Sequence, residues 1–223
     1  MKRLVIIFLV CCIWSCNSQN NLPEGFDYIH NTIPDIQLEL RYFGNDNFIG
    51  KPIDGYNNNV AIMSTEAIKA LKKVQDELKQ YNLSIKIFDG YRPQQSVNHF
   101  VRWAKQLEDT LNKKKFYPKV KKQHLFQEGY ISSKSGHSRG STLDMTLVDL
   151  YTGKELDMGS PWDFFGPESW VANLQLTSQQ RANRMLLQTI MRKHGFNYYA
   201  KEWWHFTLAN EPFPDTYFDF PIE

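Results

Sequence analysis

The run from Ser135 to Leu147, SGHSRGSTLDMTL, constrains this chain more than any other stretch of it. Successive side chains of a strand point to opposite faces, so Leu143, Met145 and Leu147 fall on one side and Asp144 and Thr146 on the other. Ahead of that alternation, Gly136 and Gly140 bracket a tight bend that must turn the chain into the strand. An imidazole, His137, and a carboxylate, Asp144, therefore stand seven positions apart around the bend, and both are good metal ligands. Two ligands do not make a site, so the rest has to come from elsewhere in the chain.

The chain has room for one sizeable core, because 42 % of its 223 residues are hydrophobic and 22 % charged, an ordinary globular balance. Its first residues read differently. Lys2 and Arg3 precede an apolar run from Leu4 to Trp14, followed by Ser15, Cys16 and the polar NSQNN. That run is too short for a bilayer, which needs about 20 residues, and reads as an export signal. Ile13-Trp14-Ser15-Cys16 resembles a bacterial lipoprotein signal, in which the cysteine becomes the acylated N-terminus, although Trp14 is bulkier than that pattern prefers. The expected organisation is a lipoprotein-type signal peptide at 1–15, a polar tether at 16–25 and one domain at 26–223, exported as a periplasmic or membrane-anchored bacterial lipoprotein with Cys16 as the lipidation site.

Cys11, Cys12 and Cys16 all lie in or beside the signal, so the domain has no disulfide to rely on. Removing Lys2 and Arg3 takes the 26 basic residues to 24, equal to the 24 acidic ones. A near-neutral domain implies no nucleic-acid partner, and the only membrane contact expected is the N-terminal lipid. The basic cluster NKKKFYPKVKK, residues 112 to 122, reads as a surface loop with solvated lysines. No feature sets an oligomeric state.

IQLELRY, residues 36 to 42, alternates as a half-buried strand, and the Gly-, Asn- and Pro-rich stretch after it reads as irregular. Ala67, Ile68, Leu71, Val74 and Leu78 have the spacing of one helical face, with Ser64 or Thr65 as N-cap. LSIKIFD is a short strand, and Pro93 suits the first position of a helix through Leu107. Thr177 and Gln180 form a capping box for a helix through Ala182, Met185, Leu186 and Ile190 that ends at Gly195. FNYYAKEWWHFTL reads as strand. Helices and strands mix without regular alternation, which predicts an α+β single domain with a mainly antiparallel sheet flanked by helices.

EWWHF supplies the missing groups. Three protein ligands with one open position make a catalytic zinc site, and His137, Asp144 and His205 would give two imidazoles and a carboxylate. Glu202 would stand beside them as general base and acid, provided it enters the strand irregularly, since residues three apart on a regular strand face opposite ways. Arg92 in FDGYRP suits oxyanion stabilisation, with Asp89 to hold it, but on local pattern alone a structural Arg–Asp pair is the default reading. His30, His99, His124 and His194 read as structural or solvated. Asp144 and Glu202 lie 58 residues apart, and nothing in the spacing forces the two pairs to meet.

SGHSRGSTLDMTL, FDGYRP and EWWHF together resemble the zinc D-alanyl-D-alanine dipeptidases known from vancomycin resistance. The likeness extends to DNFIGKPIDGY, TGKELDMGSPWDFF and the terminal YFDFP, and so covers nearly everything after the tether. It implies a zinc D-Ala-D-Ala peptidase or hedgehog-like scaffold and one Zn2+ per chain on His137, Asp144 and His205. It further implies Glu202 as catalytic base and acid, Arg92 as transition-state stabiliser, and D-Ala-D-Ala as the small dipeptide substrate. Asp163 matches the family's ammonium anchor, while Ser135 and Tyr42 match residues linked to substrate binding. An exported member would act in cell-wall dipeptide turnover or salvage. Two other readings stand beside it: a zinc D,D- or L,D-carboxypeptidase that trims peptidoglycan stems, and a non-catalytic zinc-stabilised binding module.

Overall fold

The computed structural model describes residues 22–223. The signal at 1–15, Cys16 and the tether as far as residue 21 lie outside the described residues. Leu22 already packs on the core, and the Gly25 carbonyl accepts from Thr65 N at 2.9 Å.

In chain order the elements are β1 (Phe26–Tyr28), the single turn α1 (Ile29–Thr32), β2 (Gln37–Leu38), β3 (Ile62–Ser64), α2 (Thr65–Lys79), β4 (Leu83–Asp89) and α3 (Gln94–Lys105). After these come α4 (Lys113–Phe116), β5 (Thr142–Asp149), α5 (Ser178–Lys193), β6 (Phe196–Tyr199) and β7 (Glu202–Leu208). A five-stranded sheet runs β2-β4-β5-β7-β6, parallel only at β2–β4, and β1 pairs with β3 in a separate antiparallel ribbon. This is the mixed α+β single domain that the sequence predicts. No helix among the described residues is long and apolar enough to cross a membrane.

The sheet is covered on both faces. Ile85 and Ile87 of β4 stand opposite Leu147 and Met145 of β5, all four fully buried. Their apolar face belongs to the same core as Ile68, Leu71, Leu78, Leu187 and Ile190 of α2 and α5. The opposite face is closed by a chain of aromatic rings, one of them Phe100 of α3. Phe88 of β4 stacks on Trp162 at 5.4 Å, and Trp162, Tyr42, Phe100, Phe48 and Phe165 continue ring against ring. Burying such rings is the main stabilising term, at about 25 cal/mol per Å² of apolar surface.

Local signals account for the helices. The Ser64 side chain accepts from Ala67 N to cap α2, and Thr177 and Gln180 close both halves of their capping box on α5. Several details differ from the sequence expectations. Pro93 is the residue before α3 rather than its first residue, and Leu107 lies beyond the end of α3, exposed. The strand predicted over 36–42 is only two residues long, because Phe43 N and Gly44 N bond back to Leu40 O and Arg41 O and turn the chain, swinging Tyr42 inward. Met185 is exposed on α5, where Asn183 and Arg184 take buried positions to bind loop carbonyls. The basic cluster is not all solvated: Lys122 is buried, its ammonium over the Trp103 ring and donating to Gln106 O.

Candidate metal centre and substrate cleft

Strand pairing sets a row of acids and bases across the sheet. Asp144 lies directly opposite His205 on β7 and opposite Asp89 on β4, next to a bulge between Ile87 and Asp89. His137 arrives from the bend before β5, a short 3₁₀ turn over Gly136–Arg139 that Ser135 Oγ caps by accepting from His137 N. Gly140 ends it at φ 83°, a conformation that a residue with a Cβ adopts only at a cost. An added Cβ there would stand 2.2 Å from a carbon of the Phe26 ring. Local chemistry thus delivers His137 onto the strand that carries Asp144.

The three atoms that meet are His137 Nε2, His205 Nδ1 and Asp144 Oδ1. Asp144 Oδ1 lies 3.3 Å from the first and 3.1 Å from the second, and the two nitrogens are 3.3 Å apart. Bonds of about 2.0–2.1 Å in a tetrahedron have edges near 3.3–3.4 Å, so the triangle has the dimensions of three corners around one zinc-sized ion. Asp144 Oδ1 is buried without a hydrogen-bond partner, which is costly unless a cation takes it up. His137 Nδ1 donates to the Gly90 carbonyl at 2.8 Å, which fixes the tautomer and leaves Nε2 as a lone pair. Among the described residues this is the one group of three or more His, Cys, Asp or Glu side chains arranged to hold a metal.

Glu202 sits against that triangle, its Oε2 3.3 Å from His205 Nδ1. The irregular entry the sequence required is present: β6 and β7 form a hairpin, not the single strand expected, and its register shifts at Tyr198/Tyr199 opposite Glu202. Burial pushes the Glu202 carboxyl up to about 6; the Asp144 charge adds to this and His205 opposes it. Burial alone would pull His205 down, but the neighbouring Asp144 and Glu202 carboxylates raise it. His137 is lowered, first by burial and then by the Arg92 charge.

Arg92 follows β4 and is gripped from behind. Its Nε and Nη2 both donate to Asp89 Oδ2, at 2.9 and 2.8 Å, and its guanidinium lies 5.1 Å over Tyr42 and 5.2 Å over Phe100. Asp89 Oδ1 in turn accepts from Tyr56 O–H at 2.6 Å and Gly90 N at 3.0 Å. Arg92 is therefore both a structural partner and a member of the cleft.

Asp163 adopts φ 61°, rare for a residue with a side chain, and accepts from Tyr42 O–H at 2.8 Å through Oδ2. Burial raises its carboxyl well above the usual range, the Asp144 charge raises it further, and the Tyr42 bond opposes both. Tyr42, Arg92, Ser135, His137, Asp144, Asp163, Glu202 and His205 all line one cleft of about 320 Å³. All eight residues proposed from the sequence are therefore in one place. Tyr130, Ile131, Phe165 and Tyr199 are among the other residues that line it, at scattered positions that carry no sequence signal. Trp162 donates its indole N–H to Asp144 Oδ2 at 3.1 Å, a contact that no local pattern in the sequence signals.

The chain matches a family described as Peptidase_M15, D-ala-D-ala dipeptidase, over residues 23–223. A curated D-alanyl-D-alanine dipeptidase of Enterococcus faecium is 38 % identical over 199 residues, covering 89 % of this chain and 98 % of that protein. Another, from Streptomyces coelicolor, is 41 % identical over 201 residues, covering 90 % and 100 %. Among solved structures, a vancomycin resistance D,D-pentapeptidase mutant in complex with Zn(II) aligns at a TM-score of 0.42 and 12 % identity, over 71 % of this chain and 78 % of that one.

Proposed function

We propose that this chain, which belongs to the Peptidase_M15 family of D-Ala-D-Ala dipeptidases, hydrolyses D-alanyl-D-alanine to two D-alanines with one zinc ion per chain. What carries the reading is the triangle of three ligand atoms 3.1–3.3 Å apart, with a base beside it and a buried carboxylate in the same cleft.

His137, Asp144 and His205 would hold a zinc ion, which would supply Lewis-acid chemistry to the reaction at neutral pH. Glu202 takes a proton from the attacking water as the C–O bond forms, then hands it to the amine nitrogen as the C–N bond breaks. Arg92 keeps its charge at every working pH, and the N–H groups that Asp89 does not occupy are free for the developing oxyanion. Tyr42 occupies Oδ2 of Asp163, which leaves Oδ1 for the substrate's ammonium. Ser135 stands at the head of the His137 turn, inside the cleft, as a hydroxyl contact for the substrate.

Asp163 sets the specificity. An N-acylated peptide brings no ammonium, so it leaves a buried acid unpaired, and a site built to bind a polar group strongly rejects a ligand that lacks it. Comparing kcat/KM for D-Ala-D-Ala, N-acetyl-D-Ala-D-Ala and L-Ala-L-Ala on the zinc-loaded chain tests this. Turnover confined to the free D,D-dipeptide is expected. Preference for the acetylated peptide would replace the reading with a carboxypeptidase, and no turnover at all with a binding module.

The reading includes export. With a signal at 1–15 and lipid on Cys16, the enzyme meets dipeptides released from the wall and works in their turnover or salvage. Cell fractionation that recovers the protein in the cytoplasm would overturn that location and the role built on it.

A further inference from the structure

Trp162 is 2 % exposed and has no part in the chemistry above. Its indole N–H reaches only Asp144, whose two oxygens live in unlike surroundings. Oδ1 faces both imidazole nitrogens and has no hydrogen-bond partner. Oδ2 accepts from Trp162 at 3.1 Å, with Arg92 Nη2 3.9 Å away. The indole cannot drift from that bond. Its ring stacks on Phe88 at 5.4 Å and 25°, and Tyr42 packs against it at 5.1 Å. The next residue, Asp163, has the left-handed φ that lets neighbouring positions serve the cleft differently, one holding a ligand and the other lining the wall.

Resting on the reading of His137, Asp144 and His205 as zinc ligands, we infer that Trp162 is a positioning residue for the metal centre. Its indole holds Asp144 Oδ2 back, so the carboxylate offers a metal ion Oδ1 alone. A carboxylate can bind a cation through one oxygen or both. Bound through both, Asp144 would fill the coordination position that a catalytic site with three protein ligands keeps open. Partners that orient ligands in this way typically change metal affinity or activity about 10–100-fold when removed.

Trp162→Phe keeps a ring in the stack and deletes the donor. Three quantities are measured on the full chain: the zinc dissociation constant by chelator competition, the visible spectrum of the cobalt-substituted protein, and the thermal midpoint of the metal-free form as a folding check. Zinc binding about 10–100-fold weaker is expected, with cobalt bands shifted or weakened as the carboxylate binds through both oxygens. Equal affinity and an unchanged spectrum would overturn the inference. Should Trp162→Phe fail to fold, indole 15N NMR of the zinc-loaded parent decides: a Trp162 N–H protected from exchange supports the bond, and one exchanging as an exposed indole does refutes it. A folded parent that takes up no zinc would overturn the underlying reading and this inference with it.

Discussion

Glu202 and Asp163 are two carboxylates raised by burial in one cleft, and their neighbours separate their tasks. Glu202 lies against His205 and the triangle of His137, Asp144 and His205, while Asp163 is held by Tyr42 on the cleft wall. Glu202→Gln is expected to keep one zinc per chain and lose roughly 10²–10⁴-fold in kcat/KM, read from metal content and D-alanine release. Only the ionised form of Glu202 accepts a proton. Activity therefore falls as pH drops through its pKa, about 6 in the metal-free site and drawn lower by a bound cation, and a pH profile of kcat/KM locates that limb. Asp163→Asn should raise KM for the free dipeptide and shrink its advantage over the N-acetyl peptide, with zinc content unchanged. His137, Asp144, Arg92, Glu202 and His205 were legible because each sits in a short segment whose chemistry is local. Trp162 was not, since nothing in the sequence shows that this tryptophan will aim its one donor at Asp144.

At the scale of elements, turns decide the site. Gly140 closes the bend that presents His137, at φ 83° and against the Phe26 ring. Gly140→Ala combines left-handed strain, about 1–3 kcal/mol, with a clash of similar cost. A thermal midpoint many degrees lower and weaker zinc uptake are expected, read by circular dichroism and chelator competition. Thr177→Ala, at the far end of α5, should lower stability by about 1 kcal/mol and leave kcat/KM untouched. Caps and helical faces were readable because they depend on neighbours within four residues. Strand ends were not: β2 stops after two residues because turn bonds at Phe43 and Gly44 compete with the sheet, and the hairpin that splits FNYYAKEWWHFTL places a bulge beside Glu202.

Across the whole molecule the decisive fact is sheet order, since β5 beside β7 sets Asp144 against His205. Sequence spacing left those pairs apart, and only long-range pairing joins them. The C-terminal segment is equally long-range: Phe218 N bonds Ser138 O in the His137 turn, Phe218 O accepts from Gln94 N at the start of α3, and Phe220 stacks on Tyr91 at 4.1 Å. Zinc that binds the fold and not the unfolded chain should stabilise it by about 4 kcal/mol at 1,000 times its dissociation constant. His205 has a raised pKa in the metal-free fold, so its proton stabilises that form below the unfolded value of about 6.5, and the benefit is lost as pH rises through the folded value. Zinc needs the neutral imidazole. The gain in thermal midpoint on adding zinc should therefore be larger at pH 8 than at pH 5.5.

The most direct test strips the purified chain with a chelator, returns zinc in steps and follows free D-alanine released from D-Ala-D-Ala. Turnover absent at the start, rising in proportion to zinc and levelling at one equivalent per chain, is the predicted result. Undiminished turnover in the metal-free chain, or none in a folded chain loaded with zinc, would contradict it.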